Sequence, residues 1–485
     1  MFARAAAIVG LISFSTLTAA DLGSFAPGRG LPFTVDASED VSARFAGAPR
    51  IHSFAWGQWE GKWIFIGGRT SGYHGVGGSE VDFPRATANS RIWVVDPTGN
   101  GPARTFSIPL EDLPESLATV KDQWASSNPA FFQDGESLYI AGGYGRNSAG
   151  SWVTYPVLSS VRLPQLVDAV VEHRGSASAA IHYTESPLVQ VTGGEMLKLG
   201  DAFYVIGGHV FMGTYSEFEA SGERNTAEAS QKYTGEIRKI RIQQGGGGEV
   251  SVQLIQAFAD SEFARRDLNV AYRILPDGHT VGAAAYGGVF TKDQLGFTKP
   301  VYWDAATAPA ADKHFDQTMS GYTCAHLQLF DSDSHAMYTT FFGGISRWTW
   351  NYAQQKAEPA PMIGDQHQPL YFDGLTWIDH ITTLAVTGSS SQEMVQSGTR
   401  MPGYIGSNTV FLPVTGLPKV QPEVDVYDLK ALRGKRVLVG YLFGGIRAYP
   451  KEFPYRDDSK TYRSGNVPTK ASDLIVPVYV MVPAK

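Results

Sequence analysis

Tyr73 and His74 stand side by side in Ser71-Gly72-Tyr73-His74-Gly75-Val76-Gly77-Gly78. A phenol and an imidazole on a glycine-rich loop can serve a bound ligand as an acid/base pair. Basic residues recur one to three positions after a Gly-Gly pair: Arg69, Arg146, His209, Arg347 and Arg447, with Val289 breaking the pattern. Arg265, Arg266 and Arg400 lie in other linking stretches. Brought together, these guanidinium groups favour an anionic ligand through bidentate, charge-assisted hydrogen bonds. Trp348, Tyr404 and Tyr449, with Tyr73 and Trp350, supply flat rings that can stack on sugar faces. With arginine neutralising a carboxylate, Tyr73 and His74 would suit β-elimination on a uronic-acid polysaccharide. The competing reading is structural. Each Arg pairs with a carboxylate such as Asp267, Asp365 or Asp457, His74 is solvated on its loop, and the rings pack between sheets.

Metal chemistry finds little support. The 11 His residues include no His-x-His or His-Glu-x-x-His pattern. Asp331-Ser332-Asp333 begins like a Ca²⁺ loop but lacks the glycine and terminal glutamate, so it reads as a turn. No cofactor is expected.

The elements that must position these residues repeat. Six times an apolar run ends in Gly-Gly, at Gly67-Gly68, Gly142-Gly143, Gly207-Gly208, Gly287-Gly288, Gly343-Gly344 and Gly444-Gly445. The runs are rich in β-branched and aromatic residues and read as buried strands. A turn signal such as Asp134-Gly135 or Asp277-Gly278 precedes each, and another apolar stretch precedes the turn. The unit is therefore a hairpin whose second strand ends in diglycine. Third strands follow at Arg91 to Val95, Ser159 to Leu163, Glu236 to Ile242 and Leu474 to Val480, with fourth strands at Thr105 to Leu110 and Val250 to Gln256. Four strands in each of six units make a propeller.

The diglycine after an apolar strand, followed by Trp or Tyr (Trp93, Trp152, Trp303), resembles the kelch-repeat β-propeller family across nearly the whole chain after its first 20 residues. The resemblance implies an all-β, six-bladed, kelch-type propeller. The pairs are 75, 65, 80, 56 and 101 residues apart, against about 50 in compact kelch repeats. The longest gap leaves a seventh blade near Gly406 to Val414 as the alternative. The last blade has three strands before the chain ends, and Leu31 to Asp36 is the natural fourth, closing the ring. The resemblance also implies that loops after the second strands share one face, so residues 69–90, 209–233, 345–378 and 446–471 mark the elaborate face and the short turns a plain one. The basic side chains would then converge on one mouth of the central channel. A copper-radical oxidase of the galactose-oxidase type shares this scaffold, but its Cys–Tyr and two-His copper set is not evident around the lone Cys324, which reads as a buried thiol.

Residues 1–20 read as a secretory signal peptide: Arg4, an apolar run from Ala5 to about Phe14, then small residues to Ala20. Residues 21–485 form a single propeller domain, secreted or periplasmic, with no membrane span. Of the 485 residues only 18% are charged, for a net −7, while 43% are hydrophobic and 53 are glycine. That composition excludes a coiled coil, a disordered chain and a basic nucleic-acid footprint. The expected function is a monomeric binding or scaffold protein for an acidic polysaccharide, another carbohydrate or an extracellular protein, with a polysaccharide lyase as the alternative.

Overall fold

The computed structural model describes residues 26–27, 30–74, 83–99, 101–214, 229–246, 248–292, 295–319, 321–360, 362–363, 372–396, 398–449 and 468–484. The expected signal peptide lies outside them. The chain forms an all-β propeller of six blades. Blade 1 is Ala55–Trp59, Lys62–Ile66, Arg91–Asp96 and Arg104–Pro109, in that order from the axis outwards. Blades 2 to 5 open with Ala130–Asp134, Glu195–Leu199, Arg266–Ile274 and Ala325–Asp331. Blade 6 is Val410–Pro413, Lys435–Phe443, Val476–Val482 and, from the start of the chain, Thr34–Asp36. Thr34, Val35 and Asp36 pair antiparallel with Met481, Val480 and Tyr479, so the two ends of the chain complete one sheet. Residues near Gly406 to Val414 belong to this sixth blade, and no seventh sheet of blade size occurs among the described residues.

Each blade is apolar on both faces, and hydrophobic burial is proportional to area removed from water, so stacking neighbours is what makes the sheets stable. Six separate apolar clusters result, one at each blade junction. Where the ring closes, Phe65 of blade 1 stacks on Phe443 of blade 6 at 4.3 Å between centroids.

The diglycines hold the junctions together. All twelve residues have φ between +57° and +98°, a region open to glycine at little cost. In every pair the second glycine donates its N–H to a backbone carbonyl of the next blade: Gly68 to Ser126, Gly143 to Val191, Gly208 to Arg265, Gly288 to Gly321, Gly344 to Ile405 and Gly445 to Ile51, at 2.6–3.2 Å. The backbones are so close that a Cβ at Gly142 would lie 1.9 Å from the Val191 carbonyl oxygen.

A second ring lies at the axis. Asn128 donates its N–H to Ser53, Gly193 to Asn128, Asp267 to Gly193, Thr323 to Asp267 and Asn408 to Thr323, one residue from each blade in turn. The Ser53 hydroxyl donates to Asn408 Oδ1 at 3.2 Å and joins the last blade to the first. This waist divides the channel in two.

Beyond the diglycines, three of the stretches expected as long loops carry two-stranded ribbons, His209–Gly213 with Ala229–Tyr233, Trp348–Asn351 with Lys356–Pro359, and Ile446–Ala448 with Thr469–Ala471, and a fourth ribbon joins Tyr144–Arg146 to Trp152–Thr154. The turn face is not plain, contrary to expectation. Five of its turns have two to six residues, but residues 414–434 of blade 6 cross the channel opening. Their strand Val426–Asp428 pairs parallel with the innermost strand of blade 5. No helix among the described residues is long and apolar enough to cross a membrane.

Candidate functional site

On the diglycine side of the waist the channel opens into a small mouth of about 80 Å³, lined by His52, Arg69, Tyr73, His74, Phe83, Tyr144, His209, Arg266, Asp267 and Tyr322 among others. Its walls follow from strand register. The residue after each diglycine bridges the residue just before the waist on its own blade: Arg69 with His52, Tyr144 with Ser127, His209 with Thr192, and Val289 with Arg266. In blades 5 and 6 the corresponding pairs are Ile345 with Tyr322 and Ile446 with Ser407. Blades 1 to 4 thus give the mouth its charge and imidazoles, and blades 5 and 6 its apolar side.

Arg266 is the centre of one network. Its Nη1 lies 3.2 Å from His209 Nδ1 and its Nε 3.4 Å from Asp267 Oδ2, while Asn128 Nδ2 donates to Asp267 Oδ1 at 3.0 Å. Arg69 is 5% exposed, donates from Nη2 to the Thr87 hydroxyl at 2.7 Å and sits 4.6 Å over the Phe83 ring. His74 stacks on Tyr73 at 4.9 Å, and Tyr73 meets Trp377 edge-on at 5.8 Å.

Burial and neighbouring cations set the protonation states. Burial, reinforced by Arg69, lowers His52 to about 3. Burial and then Arg266 hold His209 well below its ordinary value. Both imidazoles are therefore neutral at physiological pH. Burial raises Asp267 although Arg266 and Asn128 oppose it. The Tyr322 phenol is pushed well above its usual range by burial and then by Tyr73.

Of the residues singled out in the sequence, Arg69, Tyr73, His74, His209 and Arg266 meet at this mouth. The others are engaged elsewhere. Arg265, 1% exposed, donates to the carbonyls of Gly287 and Lys299 and pairs with Glu262 at 3.0 Å, a brace at the junction of blades 3 and 4. Arg146 holds the Gly150 carbonyl of its own ribbon at 3.1 Å. Arg347 donates to the carbonyls of Ala360 and Gly374, and Trp348 packs into the Met319 and Trp350 cluster. Arg400 pairs with Asp379 at 2.9 Å, and Tyr404 packs with Tyr322, Trp377 and Ile446. Arg447 pairs with Asp473 at 2.8 Å and covers the Tyr449 ring at 4.9 Å. Asp267 does pair with an arginine, while Asp365 and Asp457 lie outside the described residues. The decisive variable is distance beyond the diglycine. Position one faces the axis, and the arginines at positions two and three are bound within their ribbons or by neighbouring carboxylates.

His52, Phe83 and Tyr322 were not anticipated. A signal did exist for His52, because His52, Ser127 and Thr192 each stand 15 residues before the first glycine of their pair. Cys324 is buried just before the first strand of blade 5, where its N–H donates to Asn269 Oδ1 at 2.7 Å. Among the described residues, no group of three His, Cys, Asp or Glu is arranged to hold a metal ion.

No protein-family model and no curated protein matches the chain. Among solved structures the chain is similar to that of YjhT, with 9% identity and a TM-score of 0.44 over 84% of this chain and 96% of that one.

Proposed function

We propose that this kelch-like propeller is a binding protein working outside the cytoplasm, and that it takes the acidic group of a polysaccharide into the diglycine-side mouth. The observation that carries the reading is the convergence of Arg69 and Arg266 on one cavity of about 80 Å³. That volume suits a carboxylate or sulfate better than a whole sugar ring, so the chain of sugars would lie outside with one acidic group inserted. A guanidinium is weakly hydrated and forked, which makes it effective for such a group in a partly dry site. Neutral His52 and His209 add hydrogen bonds without adding charge.

The test is calorimetric titration with oligogalacturonate, alginate and heparin fragments. Saturable heat is expected with one of them. Arg266→Lys keeps the charge and loses the fork, and should weaken binding about tenfold, or about 1.4 kcal/mol. Absence of heat with every acidic glycan sinks the reading and turns attention to a protein partner.

One feature favours elimination as a second reading. His74 stacks on Tyr73 at 4.9 Å in the mouth, which sets an imidazole beside a phenol as a base and an acid would need to be. Growth of ultraviolet absorbance from an unsaturated product, lost in His74→Ala, would make that the better description.

A further inference from the structure

On the other side of the waist the same channel widens to a cavity of about 1280 Å³, lined by inner strands of all six blades and by the crossing segment 414–434. Small-ligand sites commonly enclose about 300–1,000 Å³, so this space is ample. Its wall has two unlike halves. Half-buried aromatic rings come from consecutive blades: Phe411 of blade 6, Trp56 of blade 1, and Phe131 and Phe132 of blade 2. Trp56 meets Phe131 edge-on at 6.4 Å. Polar groups come from the next blades: Glu195 of blade 3, Tyr272 of blade 4 and His326 of blade 5.

Most of the charge on this side is matched. Lys198 pairs with Asp134 at 2.6 Å and Lys419 with Asp425 at 2.7 Å. Among the half-buried acids of the wall, Glu195 is the exception. No donor among the described residues reaches its carboxyl, and burial first, then the charge of Asp267, raise it to about 8, so it is protonated at neutral pH. The Tyr427 hydroxyl, set in the same wall, also has no hydrogen-bond partner among the described residues. Buried polar groups without partners are costly and uncommon. Burial lowers His326 to about 4 although its hydrogen bond with Gln328 at 2.7 Å opposes the shift, leaving a neutral imidazole.

We propose that this turn-side cavity is a second ligand site, for an uncharged oligosaccharide whose apolar ring faces lie on Trp56, Phe131 and Phe411 and whose hydroxyls meet Glu195 and His326. Sugars present an apolar face and a hydroxyl edge, the same division as the wall, and aromatic rings stack on the former. A protonated carboxyl both donates to and accepts from a hydroxyl. The lysines among the described lining residues, Lys198 and Lys419, are held by Asp134 and Asp425, which disfavours an anion here.

The experiment titrates the full protein with cellotetraose, maltotetraose, xylotetraose and mannotetraose, reading heat and tryptophan fluorescence. One of them should bind saturably. Glu195→Ala and Phe131→Ala should each weaken it at least tenfold, Glu195→Gln should keep it within about threefold, and Arg266→Lys in the opposite mouth should leave it unchanged. Thermal melts identify any variant that fails to fold, and Trp56→Phe, a milder change, then serves in place of Phe131→Ala, with loss of the fluorescence response expected. No binding by any of the four sugars overturns the proposal. So does binding that survives Glu195→Ala or is lost in Arg266→Lys, and because the acidic-glycan titration uses the other mouth, the two readings fail separately.

Discussion

The two ends of the channel are built from the same six inner strands yet reach opposite electrostatic solutions. On the diglycine side the strands run on past the waist, and the first residue beyond each pair points at the axis. Arg69 and His209, one residue past their diglycines, and Arg266, one residue before the waist, therefore crowd into a narrow mouth with the single carboxylate of Asp267 among the described lining residues. On the turn side the strands diverge into hairpins, leaving a wide space whose lysines are paired and whose half-buried Glu195 carboxyl is kept neutral. Distance from the waist thus decides both width and charge. A side chain one residue past a latch cannot avoid the axis, and one further out finds its own partner.

The latch that keeps these ends apart offers the largest test. Gly142→Ala would push a Cβ against the Val191 carbonyl oxygen at a residue with φ of +69°. A loss of at least about 4 kcal/mol is expected, seen as a collapse of the melting temperature and loss of ligand binding at both ends. A near-normal melt would mean that the diglycine contact is dispensable. The next effect concerns the turn side alone. The folded protein holds the Glu195 proton up to about 8, whereas the unfolded chain releases it near its ordinary 4.5. The folded state binds the extra proton between those values, so stability is full below about pH 4.5 and falls as pH rises towards 8. Glu195→Gln should remove about 2–4 kcal/mol of that fall. Denaturant melts at pH 4.5 and pH 8 check it, and an unchanged slope would place the carboxyl in water. The smallest effect separates ribbon from mouth. Arg146→Ala should change acidic-glycan affinity less than twofold and stability by under about 0.5 kcal/mol, and a tenfold loss of affinity would bring the ribbons into the binding site.

Much of the fold could be read from local pattern. Apolar runs, turn signals and diglycines specify hairpins, because each acts within a few residues of chain, and the last blade lacked a fourth strand for which Leu31 to Asp36 was the natural candidate. The site was legible only in part. Arg69 and Arg266 were identifiable by position, but Arg265, adjacent to Arg266, points between blades and binds carbonyls. Strand alternation sends neighbouring side chains to opposite sides, and a list of arginines does not contain that register. His52 was legible only through its constant spacing of 15 residues before the diglycine.

Sequence alone determined that this chain makes six diglycine-ended hairpins, since short-range sterics and hydrophobic alternation carry that information, and the last blade's lack of a fourth strand pointed to Leu31 to Asp36. Only the tertiary structure decided which basic groups meet at the axis, that residues 414–434 cross to blade 5, and that Glu195 is left without a donor. Those outcomes depend on what comes within a few ångströms after the ring closes, between residues far apart in the chain.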